Sequence, residues 1–231
     1  NKFQNGPARY IFPFILEGDY LILPFAYASS LKIPRPKREQ FSAINLEFTG
    51  HLRPDQQQVK KEALKYLSKI GSVMISAYPG FGKTCGAINL ATSINFKTLI
   101  IVNKIVLIKQ WKESIIKFCP NAKIQIINPK DKFDPGVEFY IINAQNVEKM
   151  KLEYFKDIGT LIVDEAHLIM AETLSRSMQY ITPRYLIGLS ATPYRQDGLN
   201  ILLDIYFGTQ KIIRKLYKEH TVYKVETGFK P

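Results

Sequence analysis

An apolar run ends in Ala77-Tyr78-Pro79-Gly80-Phe81-Gly82-Lys83-Thr84, which has the spacing of the phosphate-binding pattern GxxxxGK[ST] with Ala77 in place of the first glycine. That first position needs a small residue more than a positive φ. Gly80 and Gly82 let successive N–H groups turn into one concavity, where they can bind phosphate oxygens. A helix starting just after the loop adds its N-terminal dipole. Lys83 would meet the β- and γ-phosphates as a compact charge, and the Thr84 hydroxyl would bind Mg²⁺. Further along, the apolar run Thr160–Val163 ends in Asp164-Glu165-Ala166-His167. Two acids at a strand tip suit metal-assisted phosphoryl transfer: Asp164 holds Mg²⁺, directly or through water, and Glu165 orients and deprotonates the attacking water. Each piece has a plainer reading, a glycine-rich turn with an incidental lysine in one case and a helix cap in the other. Their order, each behind a buried strand, favours the chemical reading. His51, His167 and His220 are too dispersed for a metal site, and the HExxH spacing is not met.

These residues need a scaffold of strands and helices in alternation. Ser72–Ala77 reads as a strand, followed by a helix from about Gly82. Thr98–Val102, Lys123–Ile127, Glu138–Ile142, Thr160–Val163 and Tyr185–Leu189 are further strands. Gln56 to Ile70 has helical spacing, with Val59, Ala63, Leu64, Leu67 and Ile70 on one side, and Ile105–Phe118 is a second helix. The alternation predicts a three-layer α/β/α domain with a mostly parallel sheet over residues 49–208. Residues 1–48 form a separate β-rich accessory element. In it Tyr20 to Tyr27 is β-prone, and Glu17-Gly18-Asp19 turns a hairpin between Phe12–Leu16 and Leu21–Phe25. The basic cluster Lys32, Arg35, Lys37 and Arg38 reads as a solvated linker, with a nucleic-acid contact as the alternative. Residues 209–231 give a strand or two and then a connection leaving the domain.

Composition sets the class. The 231 residues carry a formal net charge of +12 and are 46% hydrophobic, a globular chain suited to a polyanionic partner or simply to a lysine-rich surface. The two cysteines, Cys85 and Cys119, lie in no metal spacing and indicate a reducing compartment. The most apolar run, Thr98 to Ile108, is too short to cross a bilayer and is broken by Asn103 and Lys104. With no secretory signal pattern at the N-terminus, the expectation is a soluble intracellular protein without membrane partners, in cytoplasm or nucleus.

Leu52-Arg53-Pro54-Asp55-Gln56-Gln57, followed by AYPGFGKT, DEAH and Ser190-Ala191-Thr192, resembles superfamily 2 helicases and translocases from about Leu52 to Phe207. The resemblance implies a RecA-like fold and ATP hydrolysis with Mg²⁺, stimulated by nucleic acid. It assigns ATP contacts to Arg53, Gln56, Tyr78, Pro79, Gly80, Phe81, Gly82, Lys83, Thr84 and Cys85. Gln56 is matched to the adenine edge, and Arg53 to stacking on the base or holding the loop. An ordinary helix N-terminus is the alternative for that pair, since Pro54 and Asp55 suit a first turn. Phe41 would stack on the base from upstream. Catalysis falls to Lys83, Asp164 and Glu165, with His167 bridging to a neighbouring loop. Ser190 and Thr192 couple the nucleotide site to the nucleic-acid track. Asn103 and Lys104, then Asn143 and Gln145, are matched to sugar–phosphate contacts, while Trp111 reads as helix packing. The chain lacks the GETGSGKT loop of DEAH-box RNA helicases and the DEAD spelling. Its LRPxQ opening, Gln110-Trp111 and the run Ala191–Gly198 resemble DNA helicases of the xeroderma-pigmentosum-group-B type. They also resemble relatives in large cytoplasmic DNA viruses that act in transcript release and late transcription. DNA is therefore the expected partner ahead of RNA. A second RecA-like lobe should supply arginine fingers worth roughly three to five decades in rate. The isolated chain should bind nucleotide weakly and hydrolyse it poorly. An RNA helicase, and a binding module with an inactive site, are the competing functions.

Overall fold

The structure is a computed structural model that describes residues 13–169, 181–192, 194 and 200–216. Phe12, His220, Pro193 and Arg195–Gly198 of the run after SAT, and the tail from residue 217 lie outside the described residues. Seven strands form one sheet in the order β5-β6-β4-β7-β8-β3-β9, and every neighbouring pair is parallel. They are β3 (Ser72–Ala77), β4 (Thr98–Val102), β5 (Ile124–Ile127), β6 (Phe139–Asn143), β7 (Thr160–Val163), β8 (Tyr185–Ser190) and β9 (Lys211–Arg214). The sheet thus takes in Lys211–Arg214, the strand expected beyond residue 208, as an edge strand on β3.

Strands β3, β4 and β7 are buried along their whole length, which requires cover on both faces. The side-chain alternation sorts that cover into two cores. Val73, Ile75, Ile100, Val102, Ile141 and Ile187 point to one face, where α2 (Pro54–Ile70), α3 (Lys83–Ile94) and α4 (Ile105–Phe118) pack through Leu67, Ile88, Trp111 and Ile115. Met74, Leu99, Ile101, Tyr140, Ile142 and Leu161 point to the other, against α7 (Asn200–Phe207) through Leu203, Tyr206 and Phe207. Each fully buried side chain of this size stabilises the fold by about 1.5–3 kcal/mol relative to exposure. A four-residue helix α5 (Ala144–Val147) follows β6, and α6 (Ala166–Ile169) follows the acids of β7. No helix among the described residues is long and apolar enough to cross a membrane.

The N-terminal element contains the expected hairpin, β1 (Ile15–Glu17) paired antiparallel with β2 (Tyr20–Ile22). It departs from the β-prone reading after Ile22, because Phe25–Ser30 is a helix, α1. Pro24 stands at its N-cap: a residue with no N–H cannot extend a strand ladder, but it can open a helix. The basic cluster also departs from the linker reading, because its arginines are spent on the lobe. The Arg35 guanidinium donates to the Leu67 and Ser68 carbonyls at 2.9 and 3.0 Å, capping the C-terminus of α2. The adjoining Gly71 has φ +82, and a Cβ there would run into that guanidinium. Arg38 lies 4.6 Å over the Phe96 ring, and Arg184 donates to the Pro36 carbonyl. Ser42 N–H donates to Asp157 Oδ1 at 2.7 Å, and Asp157 Oδ2 pairs with Lys97 at 2.6 Å. Residues 35–43 therefore strap the N-terminal ends of the strands together.

Candidate active site

The site is built at the opposite, C-terminal ends of β3, β7 and β8. Gly80 and Gly82 both adopt positive φ, +82 and +86, and turn the chain from β3 into α3. The loop is braced from inside by Phe81, which is buried and meets Tyr78 edge-on at 5.5 Å. Lys83 Nζ donates to the Ala77 carbonyl at 2.8 Å. The first loop position thus contributes a backbone acceptor and a small side chain, both of which alanine supplies. Tyr78 N–H donates to the Arg214 carbonyl at 3.2 Å, joining the loop to edge strand β9.

Arg53 and Gln56, at the N-terminus of α2, both reach this loop. Arg53 Nη2 and Gln56 Nε2 donate to the same Phe81 carbonyl, the latter at 2.8 Å, and Gln56 Oε1 accepts from Arg53 N–H at 2.9 Å. A Cβ on Gly82 would overlap the Gln56 amide, so the glycine is needed for proximity as well as for φ. The pair holds the loop and caps its own helix together. Phe41 is not near this site. It is buried against Phe96, ring centroids 5.6 Å apart, at the start of β4 and the far end of the sheet, and the base-stacking expectation for it is overturned. Cys85 is half-buried in the first turn of α3, where burial pushes its thiol up and nearby Lys117 and Arg53 partly offset it. Thr84 sits in the same turn.

Three charges converge beside the loop. Burial lowers the Lys83 ammonium from its ordinary range, while Glu165 and then Asp164 push it back up. Asp164 is buried at 8% exposure, and that burial raises its carboxyl. Two donors oppose the rise: Trp111 Nε1–H at 2.8 Å on Oδ2, and Glu165 N–H at 3.0 Å on Oδ1. Glu165 has φ +49, an unusual conformation for a residue with a Cβ, and its Oε2 is buried with no hydrogen-bond partner. That oxygen lies 3.4 Å from His167 Nδ1, which in turn sits 2.7 Å from Ser190 Oγ. Ser190 Oγ also accepts from Thr192 N–H at 3.0 Å and faces the Thr192 carbonyl. A hydroxyl has one hydrogen. When Ser190 gives it to Thr192, His167 must carry the proton on Nδ1; when Ser190 gives it to His167, the Thr192 carbonyl is released.

The groups present suit a Mg²⁺-nucleotide. Nothing lies within 4 Å of where a Gly80 Cβ would stand, so the loop has open space at its turn. The Thr84 hydroxyl and Asp164 carboxylate are hard oxygen donors of the kind Mg²⁺ takes, and Glu165 offers an orphaned buried oxygen.

The remaining candidates occupy the other half of the same edge. Asn103 and Lys104 follow β4, Lys104 exposed at the N-cap of α4 and Asn103 with a buried, unpartnered Oδ1. Asn143 caps α5 by accepting from Gln145 N–H at 3.0 Å, which commits its oxygen and leaves Gln145 exposed. The structure thus joins the phosphate loop, the DEAH acids and Ser190-Thr192 in one site. It sets these four residues at the C-terminal ends of the neighbouring strands β4 and β6. The contact that the sequence does not reveal is that of Trp111, whose alternatives there are helix packing and base stacking, with Asp164. Its signal was a donor-only side chain at an apolar helix position, since a buried indole N–H needs an acceptor.

The sequence family described as "Type III restriction enzyme, res subunit" matches residues 49–195. The chain belongs to this family, as a first RecA-like lobe of a superfamily 2 helicase. Protein 161L of Invertebrate iridescent virus 6, named as a helicase, is 50% identical over 99% of this chain and 53% of its own length. Helicase-named 109L of Invertebrate iridescent virus 3 is 43% identical over 90% of this chain and 68% of its own. The superfamily 2 lobe thus spans about half the length of the first of these relatives. The crystal structure of the UvsW helicase from bacteriophage T4 shares its fold, with a TM-score of 0.62 at 19% identity, over 87% of this chain and 81% of that one.

Proposed function

We propose that this lobe binds Mg²⁺-ATP and positions it for hydrolysis in a DNA-dependent helicase or translocase. The observation that carries the reading is the chain of contacts from Glu165 through His167 to Ser190 at the strand tips, with Glu165 and the buried Asp164 within electrostatic reach of Lys83 of the loop. The N–H groups around Gly80 and Gly82 receive the phosphates, and Lys83 exchanges the Ala77 carbonyl for their charge. Bound Mg²⁺, held by Thr84 and Asp164, neutralises charge on the transferring phosphoryl group. The Glu165 carboxylate, whose Oε2 has no hydrogen-bond partner, takes the proton of the attacking water. The His167–Ser190–Thr192 contacts offer two hydrogen-bond states through which hydrolysis reaches β8 and the nucleic-acid track. Asn103, Lys104, Asn143 and Gln145 serve as the backbone contacts on that track. The rest of the motor, including a second lobe with its arginine finger, falls to sequence beyond this lobe.

The net charge of +12 suits a nucleic-acid partner of either kind, and DNA is favoured by the fold shared with the Sulfolobus solfataricus SWI2/SNF2 ATPase core, solved in complex with double-stranded DNA, at a TM-score of 0.59 and 18% identity. RNA is supported by relatives named as ATP-dependent RNA helicases, among them protein L396 of Acanthamoeba polyphaga mimivirus, 30% identical over 90% of this chain and 42% of its own length. A role in the transcription of a large DNA virus extends the same proposal, resting on the motif resemblance and on helicase-named relatives in such viruses. ATPase rates of the longer protein with single-stranded DNA, duplex DNA and RNA, at one stated salt concentration, test the reading. Stimulation by RNA alone would reverse the choice of track.

A further inference from the structure

Trp111 sits mid-way along α4, 1% exposed, among the largest of the fully buried side chains. The indole adds one thing to that packing, an N–H that donates to Asp164 Oδ2 at 2.8 Å. The other oxygen, Oδ1, accepts from the adjacent Glu165 N–H at 3.0 Å. The carboxylate is therefore held at both oxygens, so its plane cannot rotate, and each oxygen keeps a lone pair for a cation or its water. The two donors differ in origin. Glu165 N–H moves with β7, while Trp111 belongs to a different element, which packs on the sheet through Trp111 and Ile115. An indole can only donate, so the oxygen facing it must act as an acceptor.

We propose that Trp111 is a positioning residue for the Mg²⁺-nucleotide: it orients Asp164 for the cation from the outer shell. This rests on the reading of Asp164 as a Mg²⁺ ligand. Outer-shell partners of metal ligands change affinity by roughly ten- to a hundredfold when removed. The same helix starts at the exposed Lys104, so the residue that aims the metal ligand and the candidate nucleic-acid contact share one rigid element.

Trp111→Phe keeps the ring and deletes the N–H. In the 231-residue chain, binding of a fluorescent non-hydrolysable ATP analogue is titrated with Mg²⁺. The Mg²⁺ midpoint should rise about tenfold or more in the variant, while Mg²⁺-free analogue binding stays put. An unchanged midpoint with intact nucleotide binding overturns the role of Trp111 and leaves the nucleotide site standing. Absence of any nucleotide binding by the wild type overturns both. A second measurement needs no change at Trp111, the chain's only tryptophan. Adding Mg²⁺ to the nucleotide-loaded wild type should blue-shift its emission, because the negative charge beside the pyrrole nitrogen is offset. Asp164→Asn should abolish the shift. A wild type that binds Mg²⁺-nucleotide with no change in emission, or an Asp164→Asn chain that keeps the shift, sinks the proposal.

Discussion

The two ends of the parallel sheet use similar residues for opposite purposes. At the N-terminal end Arg35, Arg38, Lys97 and Asp157 are tied to carbonyls, a ring and each other, and they close the back of the lobe. At the C-terminal end Glu165 and the buried Asp164 lie within electrostatic reach of Lys83, while Glu165 Oε2 is left without a hydrogen bond. Saturated polar groups hold a structure together; a buried unsatisfied one inside a charged cluster marks where a ligand completes the set. A basic residue in the sequence can belong to either end, and only its partners tell which.

The sharpest break in this contrast is Glu165→Gln in the longer protein. ATP turnover should fall about 10²- to 10⁴-fold, the range of a general base, with nucleotide binding retained. Turnover at the wild-type rate would remove Glu165 from its role. Next in size, Ser190→Ala removes the hydroxyl shared by His167 and Thr192. The stimulation of ATPase by nucleic acid should drop roughly tenfold, on the scale of one hydrogen bond in a polar network, and a steady-state assay with and without nucleic acid reads it. The back end should answer in stability instead. Arg35→Ala frees the last carbonyls of α2 and should cost about 1–2 kcal/mol in denaturant unfolding, with the salt dependence of nucleic-acid binding unchanged. A lowered salt slope would make Arg35 part of the track after all. The smallest effect belongs to Asp157. Burial alone would raise its carboxyl, but Lys97 and the Ser42 N–H outweigh that and hold it below the usual carboxylate range. A depressed folded-state pKa gives stability that is present above the ordinary aspartate range and lost as pH falls through the folded value. Asp157→Asn should therefore cost under about 1 kcal/mol near neutral pH and flatten the acid side of the stability profile.

The sheet was legible because its strands are short apolar runs buried on two faces, and Thr98–Val102 and Thr160–Val163 begin and end where their periodicity does. The phosphate loop and the acids were legible because their chemistry fixes spacing along the chain. What failed to show depends on contacts between distant segments. Phe41 precedes the loop by a distance that suits a base-stacking role, yet the strap carries it to Phe96 at the other end of the sheet. Arg35 and Arg38 look like a solvated run until α2 and Phe96 are placed beside them. Gln56 suits an adenine edge by position, while its buried amide is bonded to Phe81 and Arg53. The Trp111 indole reads as bulk until Asp164 comes within reach, which no local pattern encodes.

The bond from Tyr78 to the Arg214 carbonyl gives the lobe a mechanical property. Strand β9 lies in register along β3, Met74 to Ala77 facing Lys211 to Arg214, with Arg214 also clamped to Glu62 at 2.6 Å. Tension entering along β9 from the residues after it loads that row of hydrogen bonds in shear, all at once, and does not peel them in turn. The path stays stiff up to the phosphate loop. A pull along β9 is therefore carried to the phosphate loop before it can be spent unravelling the edge of the sheet.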